Sequence, residues 1–425
     1  MRALRPCLVL GLVFASLSAS AQPATVNAWR RDSLGGALQA RVDALAPGET
    51  LRLAPGTYDG PVTIRVPGVT VEGGGSAIIE GHGEGTVVSV RAPGVVLSGL
   101  RIRGSGDSMP LVDAGISIES QHDVQVLNTV VEECLFGIDI ANSQKVRVEG
   151  CEISSKPVQD TFRGDALRVW YSKEVEITRN HWHDTRDSVA WYSENVRFVD
   201  NLAERARYSV HGMYSKNLLI EGNRFYSNAV GIFLMYGVGS TVVNNVVRDA
   251  AGATGIGLGL KETSVVYAKD NRFVYCATGI LIDNAPWEPN TRNWFMGNTL
   301  AFDGAGIVLA NDREGNELSG NVFHSNRVDV DTEARRTSPG RWEGNVWDAY
   351  DGFDRDGDGV GDTPYVPRRY GDVLTGTRPA TQFFRGAPIL ALIGLLERLV
   401  PLTEPIELLR DPKPRLLSSL EDHEP

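Results

Sequence analysis

Tyr208-Ser209-Val210-His211-Gly212-Met213-Tyr214-Ser215, then Asn217-Leu218-Leu219-Ile220-Glu221-Gly222-Asn223, then Gly231-Ile232-Phe233-Leu234-Met235-Tyr236-Gly237, holds two copies of one unit. Tyr214 lies nine residues before Asn223, and Tyr236 nine before Asn245. Upstream, Tyr171 and Tyr192 keep the same spacing before Asn180 and Asn201. The asparagines step by 21 or 22 residues, a period that means a solenoid. The column continues as Thr129, Cys151, Asn180, Asn201, Asn223, Asn245, Asn271, Asn298, Asn321 and Asn345. Stacked asparagines pass amide hydrogen bonds from rung to rung, which satisfies them inside a narrow parallel stack. The chain is therefore read as all-β, a right-handed parallel β-helix over residues 22–350 with about three short strands per rung. Apolar runs such as Val62-Thr63-Ile64 and Val95-Val96-Leu97 supply its first strands, and the spacing over Ala37–Leu53 predicts a helix before them.

At the amino end, Arg2 and Arg5 precede an apolar run from Cys7 to Leu17, and Ala19-Ser20-Ala21 fits a cleavage site. Residues 1–21 are read as a secretory signal peptide, so the chain is expected to be exported. The net charge of -11, with no basic stripe, argues against a nucleic-acid partner. Cys134, Cys151 and Cys276 remain after cleavage. Cys134 and Cys276 share a column six rungs apart, ~29 Å at ~4.8 Å per rung, beyond disulfide reach. All three are read as buried small hydrophobes.

Alternation assigns the faces. Ile138 and Ile140, Leu167 and Val169, Val210 and Gly212, and Ile232 and Leu234 point inward. The residues between them point outward, in two columns. One reads Ala141, Trp170, Trp191, Met213, Met235, and the other Asp139, Arg168, Val189, His211, Phe233. Two extra residues in Gly255–Glu262 leave Gly259 or Lys261 for the next place, before Asp283. Met213 and Met235 thus stack in adjacent rungs about 4.8 Å apart, with His211 beside them. Two thioethers and an imidazole are a soft donor set, which selects Cu(I) over calcium, magnesium or zinc. The other reading is adaptable apolar contact beneath a covering loop or partner. Under both readings Trp170, Trp191 and Phe233 form an exposed aromatic patch that favours a partner or ligand.

Further polar groups stand apart from this face. His181 and His183 flank Trp182 and point outward, where they are either a chelating pair or idle surface groups. Asp354, Asp356 and Asp358, with Asp362 standing in for the missing bidentate glutamate, suit a structural Ca²⁺ loop or a solvated acidic turn. Gly81-His82-Gly83 and Arg101-Ile102-Arg103 echo polygalacturonase fragments, but no paired carboxylates accompany them, so hydrolysis machinery is lacking. A carbohydrate-binding or polysaccharide-modifying β-helix stays the alternative. Phe383–Val400, which includes Leu392, Leu395 and Leu396, is too short to span a bilayer and reads as a capping or docking helix. The tail beyond Pro412 reads as polar and flexible.

Several of these units, in this order, resemble the NosD family. They are Val210–Ser215, Gly231–Tyr236, Gly259-Leu260-Lys261-Glu262, the run from Gly344-Asn345-Val346-Trp347 to Asp358–Tyr365, and the apolar segment after Ala387-Pro388. The resemblance covers nearly all of the chain after residue 21. It implies a non-enzymatic periplasmic β-helix that associates with the permease of a membrane ABC transporter. Such a protein takes Cu(I) from a copper chaperone and passes it to the nitrous oxide reductase apoprotein. Carried onto this sequence, it makes His211, Met213 and Met235 the Cu(I) ligands and Phe383–Val400 the transporter-docking element. The chain has no Gly-x-x-x-x-Gly-Lys loop, so ATP hydrolysis is expected of another subunit.

Overall fold

The computed structural model describes residues 36–311, 313–332, 337–369, 392, 396 and 406–416. The signal-peptide reading and most of Phe383–Val400, Leu395 included, lie outside these residues. Leu392 and Leu396 are helical and exposed.

Each rung contributes strands to two parallel ladders of a 24-stranded sheet, and each but the last, Arg341–Glu343 with Val346–Trp347, adds a third strand to a 12-stranded parallel sheet. One turn runs through Glu194–Val199, Leu202–Glu204 and Tyr208–Met213, and the next through Leu219–Glu221, Arg224–Tyr226 and Val230–Met235. Pairing is in register: Phe198 stands over Ile220, Ala203 over Phe225 and Met213 over Met235. The chain is a parallel β-solenoid, as the period requires.

Sequence alternation accounts for the core. The predicted inward positions, Ile138, Ile140, Leu167, Val169, Val210, Ile232, Ile280 and Ile282 among them, are all buried. One inner column reads Trp182, Ala203, Phe225, Val247, Phe273, Leu300, Phe323, Trp347. Large and smaller side chains alternate along it as far as Phe323, which lets bulky groups interleave at a fixed rung spacing, and Trp347 then stacks directly on Phe323 at 4.1 Å. Trp182 and Phe225 approach to 6.3 Å between ring centroids across the small Ala203.

The asparagine column is an amide ladder. Asn223 Oδ1 accepts from Asn201 N and Nδ2, both at 2.9 Å, while Asn223 Nδ2 donates to Phe198 O and to Asn245 Oδ1. The same pattern joins Asn180 to Asn201 and runs through Asn271, Asn298 and Asn321 to Asn345. The residue before each of these asparagines turns the corner with a positive φ, as at Asp200 (55°) and Gly222 (66°). Buried amides that would be costly alone are satisfied by their neighbours.

The ends depart from expectation. Helix runs only over Gly36–Asp43, burying Leu38 and Val42, rather than to Leu53. Pro47-Gly48 turns the chain at a Gly48 φ of 82°, and Thr50–Arg52 is already a strand paired with Thr70–Glu72. The tail is also held. Arg415 bridges both Val346 and Val360, and Asp411 is buried against Asn345. The run beyond Pro412 reads as flexible, but as far as Leu416 it bonds back onto Asn345 and Gly359, while Asp411 just before it satisfies the last rung of the ladder.

Candidate metal centre

Four successive strands of the 12-stranded sheet build the centre: Asp187–Trp191, Tyr208–Met213, Val230–Met235 and Ile256–Lys261. Their register sets Trp191 beside Met213, Met213 beside Met235 and Met235 beside Lys261. In the parallel column His211 stands beside Phe233, and Phe233 beside Gly259. Lys261, not Gly259, therefore continues the methionine column, and Asp283 follows it.

His211 Nε2 lies 3.4 Å from Met235 Sδ. Imidazole and thioether thus converge at hydrogen-bond distance for sulfur. The ring is enclosed on other sides. Tyr208 stacks on it at 4.8 Å and 20°, and Trp191 meets it at 5.3 Å and 87°. Phe233 packs against Tyr208 at 6.0 Å and 80°. A face expected to be wet instead leaves His211 only 8% exposed, because these rings close over it. Met213 and Met235 are half-buried, so the thioethers form the outer layer of the cluster.

Tyr208 reaches His211 through a register shift. Asp187 pairs with Tyr208 and Val189 with His211, so the later strand carries one more residue than the earlier one. Bulges of this kind re-aim side chains next to sites.

Acid–arginine pairs stand beside the cluster. Asp187 is fully buried; Arg207 donates from Nε to its Oδ1 at 2.8 Å and from Nη2 to its Oδ2. Burial would raise the Asp187 carboxyl, but the hydrogen-bonded Arg207 guanidinium, with His211 and Arg186 nearby, outweighs it and holds it below the usual range. Arg207 also lies over the Tyr208 ring at 5.1 Å. Asp165 is paired with Arg186 at 3.1 Å, yet burial pushes it to about 7. Asp139 accepts from Arg168 at 2.7 Å, and Arg168 lies 4.3 Å over Trp170. His211 Nδ1 is buried without a hydrogen-bond partner, 3.8 Å from Asp187 Oδ2.

Trp170 and Trp191 pack on each other at 5.3 Å and, like Phe233, are half-buried rather than exposed. A more exposed aromatic row lies one residue further on, with Tyr171, Tyr192 and Tyr214 exposed and Tyr236 half-buried. Tyr171, Tyr192, Tyr214 and Tyr236 stack at 4.7, 5.0 and 4.8 Å, each at a corner with positive φ. These tyrosines marked the sequence period, but alternation does not extend through a corner and gave them no orientation. Lys261 Nζ is 3.9 Å from Asp283 Oδ2, and Glu262 accepts from Asn284 Nδ2 at 3.4 Å.

The other candidates do not join this centre. His181 and His183 lie 5.0 Å apart, but His181 is engaged by Glu204 at 3.1 Å and His183 by Asp184 at 2.8 Å. Among the described residues, the group of His, Cys, Asp or Glu able to converge on a metal is Asp354, Asp356 and Asp358, within 4.8 Å of one another. Asp362 stands outside it, accepting from Arg355 N at 2.9 Å. Three carboxylates would supply part of the six to eight oxygens Ca²⁺ takes, the rest coming from backbone carbonyls or water.

Residues 149–352 match the sequence profile of NosD, described as a periplasmic copper-binding protein. The chain is 26% identical over 381 residues to a probable ABC transporter binding protein NosD of Stutzerimonas stutzeri, covering 82% of this chain and 83% of that one. Its counterpart in Pseudomonas aeruginosa is 26% identical over 385 residues, covering 82% and 84%. Among solved structures, the A-module of an Azotobacter vinelandii mannuronan C-5 epimerase superposes with a TM-score of 0.51 at 16% identity, over 75% of this chain and 93% of that one. The bacteriophage Phi29 gene product 12 N-terminal fragment gives 0.53 at 14%, over 73% and 67%. At such identities these structures share the fold alone. The profile spans the rungs from His211 to Lys261, and both relatives align along most of their length, which together support NosD identity at the level of the family.

Proposed function

We propose that the chain is a carrier that holds Cu(I) between His211, Met213 and Met235, and passes it to nitrous oxide reductase while associated with an ABC transporter. The observation that carries this reading is the 3.4 Å approach of His211 Nε2 to Met235 Sδ, with Met213 in register on the adjoining strand. Cu(I) favours thioether and imidazole donors, whereas the harder ions of the periplasm favour oxygen. The copper of the family description and the transporter in the relatives' names support the same reading.

The layered geometry suits a carrier. The imidazole is the buried donor, and the half-buried thioethers are the ones an incoming protein ligand can displace first. No bond of the cargo is made or broken beyond ligand exchange, so binding rather than turnover is the role assigned. Aromatic walls exclude water from the buried donor, and Phe383–Val400 is the segment assigned to the transporter. A copper chaperone upstream supplies the ion.

An anaerobic Cu(I) competition titration tests this on the protein from Gln22 onward, beside a Met213→Ala/Met235→Ala variant. The expected result is tight uptake by the parent and at least a tenfold loss in the variant, with unchanged circular dichroism. Equal, weak binding by both would falsify the assignment of copper to this face.

A further inference from the structure

We propose that Asp187, anchored by Arg207, is a positioning residue that fixes the proton of His211 on Nδ1 and so keeps the Nε2 lone pair aimed at the methionine column. This rests on the copper reading for its purpose, though not for its geometry. A neutral imidazole carries its proton on either nitrogen, and the partner of one nitrogen decides what the other can do. Two different environments meet the two nitrogens here. Nε2 faces Met235 Sδ at 3.4 Å, a weak acceptor and a soft ligand. Nδ1 is buried without a hydrogen-bond partner, and the group in front of it is the Asp187 carboxylate at 3.8 Å.

That carboxylate has no freedom to choose another partner. It is fully buried, and Arg207 grips both of its oxygens. The same guanidinium lies over Tyr208, whose ring stacks on His211 and limits its rotation. Arg207, Asp187 and Tyr208 thus form one bracket around the imidazole, assembled by the register shift between the two strands. A carboxylate in a buried setting favours the N–H on the nitrogen nearest to it. A proton on Nε2 would instead point at a thioether and leave the Nδ1 lone pair facing a negative charge.

The test is nitrogen NMR of the metal-free protein labelled at histidine, at about pH 8, where an ordinary imidazole is neutral. His211 is identified by the signal lost in His211→Gln. The expected spectrum has the proton on Nδ1. In Asp187→Asn the two tautomers should become mixed, and Cu(I) affinity should fall roughly tenfold. Arg207→Lys keeps a cation beside Asp187 and should leave the tautomer in place. A wild-type His211 protonated on Nε2, or an unchanged tautomer in a folded Asp187→Asn protein, overturns the proposal. Should that variant not fold, the wild-type spectrum alone decides it. If the tautomer is as expected but the protein takes up no copper, the carrier reading fails while the bracket stands.

Discussion

Asp411 closes the amide ladder at Asn345: its Oδ2 accepts from Asn345 N at 2.9 Å and from Asn345 Nδ2 at 3.0 Å. It also accepts from Gly344 N and from the buried Trp347 Nε1. A column in which each asparagine serves the one before it must end on a group that accepts without needing a further rung, and a carboxylate does that. Asp411→Ala would leave several buried donors unpaired, at about 1–3 kcal/mol each before relaxation. Stability in a solenoid is close to a sum of neighbour terms, so the loss should be local. Hydrogen exchange is expected to accelerate around Asn345 and Trp347 while Asn201 and Asn223 keep their protection. Uniform exchange along the ladder would show that Asp411 is not its terminus.

Gly259 gives a way to disturb the centre without touching a candidate ligand. A Cβ there would lie 2.5 Å from Phe233 Cδ2 and Cε2, so the ring must shift. Phe233 edges Tyr208, and Tyr208 stacks on His211. Gly259→Ala is therefore expected to weaken Cu(I) binding several-fold, on the order of 1 kcal/mol, with the β-helix intact. Competition titration beside circular dichroism reads both. Unchanged affinity would mean the Phe233 ring can move without transmitting anything to His211.

What the sequence disclosed follows from which rules operate where. Along strands the alternation is strict, so the faces of Val210, Ile232, Met213 and Met235 were readable, as was the ladder from Asn180 to Asn345. The register of Lys261 against Met235 followed only once the insertion was placed: the pairing steps 22 residues from Tyr208 to Val230 but 26 from Val230 to Ile256, so four extra residues, not two, lie before Ile256. Corners and bulges break the alternation. Tyr208 stacks on His211 because of a register shift, and the tyrosine row turns outward at positive φ; neither has a sequence period of its own. Asp187 and Arg207 lie 20 residues apart, and a charged pair on a solvated face would look the same in sequence. Composition also misjudged the start of the tail beyond Pro412, since nothing in Lys413–Leu416 signals that Arg415 pairs with Val346 and Val360.

Asp303 supplies a pH dependence. It is 2% exposed, burial pushes its carboxyl to about 8, and its Oδ1 accepts from Cys276 N at 2.7 Å. Its Oδ2 has no partner. It occupies a short second column in which Asn228 Oδ1 takes the same kind of bond from Ala206 N and Asn326 Oδ1 takes it from Asp303 N. The folded protein therefore holds a neutral acid where an unfolded chain ionises near 4. The folded pKa is raised, so the stability contribution is complete below about pH 4, declines as pH rises, and is gone above about pH 8. Asp303→Asn keeps the acceptor and removes the titration. The variant should gain on the wild type, by a few kcal/mol at most, as pH rises from about 5 to 8. Urea unfolding across that range checks it; parallel curves for the two proteins would show that Asp303 is already ionised when folded.

The cysteines give the last prediction. Cys134, Cys151 and Cys276 are buried free thiols, and burial pushes Cys134 and Cys151 up to about 12 and raises Cys276 as well. The thiolate is the reactive form, and at neutral pH it is nearly absent from all three. A soft metal would find thiolates attractive, but these sulfurs face the inside of the β-helix, where Cys151 Sγ sits 3.5 Å from Val126 O. An aromatic disulfide reagent should therefore leave them unmodified in the folded protein and react with all three in denaturant. Substituting them together with alanine should leave Cu(I) uptake unchanged while costing stability through lost packing, about 1 kcal/mol or more per site. A large fall in copper affinity in that variant would move the metal from the methionine column to the thiols, because nothing in their packing couples them to His211.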